Sequence, residues 1–306
     1  MEAPFSGVVL VSRGDRTLLA EASGYAHRAH GVENTVDTRF AIASGTKGFT
    51  ALVVIGLAAE GRLALGTRAR QVLGADLPLI DDRVTVEHLL THTSGIGDYC
   101  DDENPPETPP GLVTSADYLA ALDGFPQQFP PGERFHYNNG AFAVLALIAE
   151  RVAGTPFPDL VRTRVTEPAG MTDTAFLRSD ALPGRTATGY LEDGRTNVFS
   201  LPVVGFGDGG IYSSAPDLRK FWPALLGGRI VPREWVDRAL KPHADGYGLG
   251  FWLPRPGVVR LEGGDHGVTF VSLHQPSSGV TATLISNDHR GGGPLLRRLD
   301  EYLTKA

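Results

Sequence analysis

Ser44 and Lys47 stand three residues apart in Phe40-Ala41-Ile42-Ala43-Ser44-Gly45-Thr46-Lys47, just ahead of a run with almost no charge. If a helix begins near Ser44, the two side chains share a face and their heads can meet. A serine hydroxyl becomes a useful nucleophile when a base takes its proton. A lysine can be that base if its pKa falls, and burial in an apolar wall lowers it. Phe49, Ala51, Leu52, Val53, Val54, Ile55, Leu57, Ala58 and Ala59 supply the wall, since a helix apolar on all sides is a buried one. Gly61 follows as a stop signal. The positive end of that helix lies under Ser44, where it favours a developing oxyanion. By itself S-x-x-K is a short pattern, compatible also with an ordinary core helix that carries a snorkelling lysine.

Further along, Tyr137 and Asn139 are two apart, so on an extended segment they face the same way. A tyrosine beside a lysine ammonium can bring its pKa toward the range of a useful base. His88 and His92 have the i, i+4 spacing of a zinc helix, but Leu89 stands where H-E-x-x-H requires glutamate, so a structural pair is expected and no metal site. No serine sits in G-x-S-x-G, and no glycine immediately precedes Lys47 as a phosphate-binding loop requires.

The elements that must position these residues are legible from pattern. Residues 7–11 read as a strand, 13–16 as a turn and 17–20 as the return strand. Residues 84–92 read as a short helix capped by Thr85, 115–122 as another, and 141–152 as a second all-apolar helix closed by Gly154. Residues 101–111 are acidic and proline-rich, which excludes a helix or an inner strand. Ser214, with Asp217 three residues on, signs a helix start. Strands are expected at 247–253, 258–261, 268–274 and 280–286, with a hairpin turn at 276–279 and a closing helix at 295–303. Strands at both ends and helices between them point to one antiparallel sheet made by the termini. The expected organisation is an α/β domain of residues 1–44 and 243–306, an inserted mainly helical domain of 45–242, and a site in the cleft between.

Composition narrows the function classes. The chain has 306 residues, 42% hydrophobic and 21% charged, as in ordinary globular proteins. Its net charge of −7, without a basic run, argues against nucleic acid as a partner. Cys100 is the only cysteine, so internal disulfides and cysteine zinc sites are out. No signal-peptide pattern opens the sequence and no run of about 18 apolar residues occurs. The expectation is a cytoplasmic protein without a membrane partner, which a trimmed secreted or periplasmic chain would resemble.

Taken in order, Ser44-x-x-Lys47, Tyr137-x-Asn139 and the glycine-rich Gly263-Gly264-Asp265-His266-Gly267 resemble the motifs of the serine β-lactamase and penicillin-binding-protein superfamily. The likeness is to its class C β-lactamase-like branch, which includes family VIII-type esterases and D-amino-acid peptidases. Residues 89–96, 129–132 and 209–214 match as well, so the resemblance covers nearly the whole chain. It implies a β-lactamase-like fold, a helical domain against an α/β domain. Ser44 would be the nucleophile, Lys47 its base, and Tyr137 the proton shuttle to the leaving group and to the deacylating water. Asn139 would hold Lys47 and the acyl side of the substrate. The backbone N–H groups of Ser44 and Val268 would form the oxyanion hole.

One departure bears on specificity. Asp265-His266-Gly267 stands where lactamases and carboxypeptidases usually open with lysine and many esterases with histidine. Strand alternation would admit only one of Asp265 and His266 to the cleft. Arg290, just past the last strand, is either the missing positive charge or a solvated loop arginine. Neither Glu150 nor Glu167 sits where a separate deacylating base would, so Tyr137 is expected to serve both half-reactions. The expected function is acyl-enzyme hydrolysis of a small-molecule ester or amide without a cofactor, most of all short-chain esters. The alternatives are a β-lactamase, a D-Ala-D-Ala carboxypeptidase or D-aminopeptidase-like enzyme, and a catalytically silent penicillin- or peptide-binding protein. Nothing in the sequence sets the oligomeric state.

Overall fold

The computed structural model describes residues 5–100 and 111–288. A six-stranded sheet is assembled from the two ends of this stretch: β1 (Gly7–Arg13), β2 (Arg16–Ser23), β3 (Trp252–Arg255), β4 (Val258–Asp265), β5 (Val268–Gln275) and β6 (Val280–Ser286). Its order is β2-β1-β6-β5-β4-β3, antiparallel throughout. β1 and β6 pair from Gly7↔Ser286 to Arg13↔Val280. Both are near-continuous apolar runs because both faces of the sheet centre are covered. Val8, Leu10, Phe270 and Ile285 join the main core on one face, and Val9, Val11, Val271, Ala282 and Leu284 form a second cluster on the other. That separation follows from the two-residue period of a strand.

The main core is filled by helices: α1 (Thr46–Ala59), α2 (Val86–Leu90), α3 (Ser115–Leu122), α4 (Asn139–Ala153) and α5 (Ala215–Leu226). Every residue of α1 except Gly56 and Ala59 is buried, as its unbroken apolar sequence requires. α4 is buried from Asn139 to Ala149 and ends on Gly154 in the left-handed conformation, which a glycine adopts without a Cβ penalty. Thr85, Thr114, Asn138 and Ser214 cap α2, α3, α4 and α5 through their side-chain oxygens.

Some boundaries differ from the sequence reading. Ser44 lies in a single 3-10 turn, Ala43–Gly45, before α1 begins. The strand expected at 247–253 starts only at Trp252, because Gly246 and Gly250 have φ of 71° and 84°, which break extended backbone. β4 runs on to Asp265, past the expected end at 261. Most of the proline-rich loop, Arg290 and the helix expected at 295–303 lie outside the described residues. Among the described residues, no single helix is long and apolar enough to cross a membrane.

Candidate active site

Two walls meet at Ser44. The first is built on α1. Lys47 is 2% exposed, and its Nζ donates to Ser44 Oγ at 3.0 Å, to Asn139 Oδ1 at 2.7 Å and to the Asp208 carbonyl at 2.7 Å. Its neighbours fasten the segment that carries Asp208. Thr50 Oγ1 donates to the Gly207 carbonyl at 2.6 Å, and Thr46 Oγ1 accepts from the Ile211 backbone N–H at 3.1 Å. Ile42 N–H donates to the Ile211 carbonyl at 3.0 Å, which ties the nucleophile turn to the same segment. Ala43, immediately before Ser44, has φ of 43°, a conformation that a non-glycine residue adopts only when its surroundings hold it there.

Asn139 completes this wall as the first residue of α4. Its Nδ2 donates to the Cys100 carbonyl at 2.7 Å while its Oδ1 takes the Lys47 proton. The helix start is anchored by Asp98, whose carboxylate accepts from the N–H groups of Asn139 at 2.6 Å and Gly140 at 2.8 Å. Burial pushes the Asp98 carboxyl up to about 6 even though Cys100, Gly140 and Asn139 all donate to it. Asp208, whose carboxylate accepts from Tyr99 Oη at 2.7 Å, is likewise held above the usual carboxylate value by burial.

The structure overturns one expectation here. Burial does work against the Lys47 ammonium, but Tyr137, Asp208 and Asp98 more than offset it, and the pKa stands above the ordinary lysine value. The geometry gives the reason. Ser44 Oγ and the Asn139 and Asp208 oxygens accept the three protons of an ammonium, whereas a neutral amine would instead accept the Ser44 hydroxyl hydrogen. Tyr137 lies alongside, its ring centroid 5.0 Å from Lys47 Nζ, and it stacks on Trp252 with centroids 6.1 Å apart.

The second wall is the edge of β4. A Cβ on Gly263 would stand 2.4 Å from the Ile42 carbonyl oxygen and 2.6 Å from Ser44 N, so only glycine lets the strand pass this close to Ser44. His266 and Gly267 form a two-residue turn that closes on the pair Asp265↔Val268. A closing pair of this kind bonds across the hairpin, so the Val268 N–H is directed at β4 and not at Ser44. The pattern alternates along the strand: Gly263 bonds toward β5, while Glu262 and Gly264 turn their N–H and C=O groups to the outer side. β3 covers that side only as far as Arg260. On this alternation the backbone N–H on the open side of β4 beside Ser44 is that of Gly264, where the sequence resemblance had pointed to Val268.

Between the walls lies a cavity of about 870 Å³ lined by Ser44, Tyr99, Cys100, Tyr137, Asn139, Trp252 and the β4 edge. Asp265 and His266 both line it. Strand alternation does not choose between them because His266 sits in the turn and not in the strand. The acids on its lining are Asp208, Glu262 and Asp265, and among the described lining residues there is no lysine or arginine. Glu262 is bracketed by Arg260, 3.0 Å away, yet burial still pushes its carboxyl up. His88 and His92 do not converge: His88 Nδ1 accepts from the Thr85 N–H at 3.3 Å, whereas His92 is fully buried. Asp98, Asp208 and Glu262 were not singled out from sequence, and a pattern of residue types contains no signal for them; Gly263 stood in the third motif without a role of its own.

The comparisons with known proteins agree in direction. The family model described as Beta-lactamase matches residues 3–302. A penicillin-binding protein structure from Bacillus halodurans superimposes with a TM-score of 0.91 at 35% identity, covering 97% of this chain and 97% of that one. The D-amino acid amidase structure from Ochrobactrum anthropi SV3 matches at a TM-score of 0.79 and 25% identity, over 93% of this chain and 86% of that one. Esterase EstB of Burkholderia gladioli is 29% identical over 297 residues, 82% of this chain and 72% of that protein. The fold is β-lactamase-like, with mixed α/β content.

Proposed function

The chain belongs to the Beta-lactamase family, and from that premise we propose that it is a serine hydrolase acting through an acyl-enzyme on small neutral or amine-bearing esters and amides. The observation that carries this reading is the 3.0 Å contact between Lys47 Nζ and Ser44 Oγ at the floor of an open cavity. Ser44 Oγ attacks the substrate carbonyl and its proton passes to the Lys47–Tyr137 pair. Because Lys47 rests as an ammonium, the pair first gives one proton to solvent, and in that form the two side chains accept the Ser44 proton as one unit. The oxyanion is held by the N–H groups of Ser44 and Gly264. The leaving group departs with the proton from Tyr137. Water then attacks the ester carbonyl, gives its proton to Tyr137 and frees the acid and Ser44.

The acids lining the cavity support the substrate charge in this reading. A carboxylate brought within about 4 Å of one of them is repelled by roughly 1–4 kcal/mol, depending on local dielectric. An ammonium is attracted by the same groups, which is where an amine-bearing amide fits. β-Lactams of the usual kind carry a carboxylate and are expected to be poor substrates.

The test is a fluorophosphonate or penicillin probe followed by mass spectrometry, together with p-nitrophenyl butyrate, nitrocefin and D-Ala-p-nitroanilide as substrates. The expected result is an adduct on Ser44, absent in Ser44→Ala, with the butyrate ester turned over far better than nitrocefin. A folded wild type without any adduct would instead identify a silent binding protein.

A further inference from the structure

We propose that His92 is a positioning residue for Tyr137, an inference that rests on the catalytic reading of Tyr137 above. His92 follows α2 directly and is 0% exposed, with a left-handed φ of 56°. Left-handed backbone is uncommon outside glycine and marks a residue held by its surroundings. Two hydrogen bonds run from His92 to either side of Tyr137. The His92 carbonyl accepts from the His136 N–H at 2.8 Å, and His92 Nδ1 accepts from the Asn138 N–H at 3.1 Å. The imidazole also lies on the Tyr137 ring, with centroids 4.4 Å apart and planes 32° off parallel. Backbone before Tyr137 is held by the His92 main chain, while the backbone after it and the ring face are both set by the His92 side chain.

The chemistry of the ring suits that work. An acceptor at Nδ1 places the single proton of a neutral imidazole on Nε2. Among the described residues Nε2 is buried without a hydrogen-bond partner, a cost that packing alone does not require. A phenyl ring in the same box of Phe135, Phe142 and Tyr247 would avoid the orphan donor but would release the Asn138 N–H. The groups around the ring keep it neutral: burial, the Lys47 ammonium and His136 all act against a second positive charge. A protonated ring would lose the Nδ1 acceptor and with it the hold on Asn138, whose own side chain caps α4 through the Ala141 N–H at 2.6 Å.

The experiment compares His92→Phe, His92→Asn and Tyr137→Phe in folded protein, with kcat, KM and the pH–rate profile for p-nitrophenyl butyrate. His92→Phe should lower kcat about 10²-fold, the scale for a small misplacement of a reacting group, with KM changed less than about threefold. Its pH–rate midpoint should move by more than about half a unit, since Tyr137 then meets Lys47 differently. His92→Asn keeps a short acceptor and tolerates the left-handed backbone, so it should recover most of kcat and the wild-type midpoint. The proposal is overturned if His92→Phe keeps wild-type kcat. It is also overturned if kcat falls with an unmoved midpoint, or if His92→Asn recovers nothing. Should His92→Phe not fold, His92→Gln, which displaces the acceptor, is read against His92→Asn by the same criteria. If Tyr137→Phe itself keeps full kcat, the catalytic reading of Tyr137 fails and not the link to His92.

Discussion

The two walls of the cleft are built on opposite plans. On the α1 side every donor of Lys47 is committed, and Asn139, Asp98 and Asp208 are held by backbone groups from several segments. On the β4 side the residues near the mouth, Gly264, Asp265 and His266, are exposed, and β3 pairs with the strand only as far as Arg260. The buried wall has one geometry available to it, because moving any member leaves a buried polar group unmatched. The exposed wall constrains only where the backbone passes. In the acyl-enzyme reading, bond-making chemistry belongs with the first and discrimination between substrates with the second.

The contrast can be broken hardest at the nucleophile. Ser44→Ala should abolish probe labelling and lower kcat by at least about a thousandfold, because the covalent route is gone. Retention of more than about a tenth of wild-type turnover would refute the assignment. Next in size are the two neighbouring glycines of β4. Gly263→Ala should drive a methyl into the backbone of Ile42 and Ser44, cost about 1–3 kcal/mol in urea unfolding and lower kcat by roughly 10²-fold. Gly264→Ala has nothing within 4 Å of the new methyl and should unfold like wild type. Equal behaviour of the two would mean that β4 does not press on the nucleophile.

A smaller effect is expected from charge on the exposed wall. Glu262→Gln and Asp265→Lys should each raise kcat/KM for nitrocefin about 3- to 30-fold while leaving the butyrate ester within about twofold. Efficient nitrocefin turnover by the wild type would sink this account of the lining. The mildest expectation concerns stability alone. The folded pKa of Asp98 is raised from 3.8 to about 6, so its contribution is full below the unfolded value and is lost as pH rises through about 6. The stability advantage of wild type over Asp98→Ala should therefore shrink by about 1–3 kcal/mol between pH 4 and pH 8 in urea titrations. An advantage that grows with pH would reverse the sign of the argument.

How much of this was legible in the sequence divides along the same line. Helical periodicity places Ser44 and Lys47 together, and alternation with turn residues locates most strands, because those signals are local. The partner of Lys47 on Asp208 is a backbone carbonyl, which any residue would offer, so residue type said nothing about it. The raised lysine pKa was invisible for a related reason. Burial can be read from an apolar run, but the groups that reverse its effect, Tyr137, Asp208 and Asp98, come from segments up to 161 residues away. At the third motif the glycines were visible and the register was not. Gly263 rather than Gly267 meets Ser44 because β4 extends to Asp265 before it turns.

The pairing of β1 with β6 has a consequence for how the protein is made. Gly7 finds its partner Ser286 only after every residue between them has been synthesised. At about 5–20 residues per second, Gly263 follows Ser44 out of the ribosome by roughly ten to forty seconds. During that interval β1 has only its hairpin neighbour β2, and an apolar strand destined for the sheet centre waits with an unpaired edge. A nascent chain therefore carries its serine and lysine long before the strand that gives them a cleft. In the acyl-enzyme reading, hydrolysis begins only once β4 has joined the sheet, and a message truncated before β4 yields a polypeptide that turns nothing over.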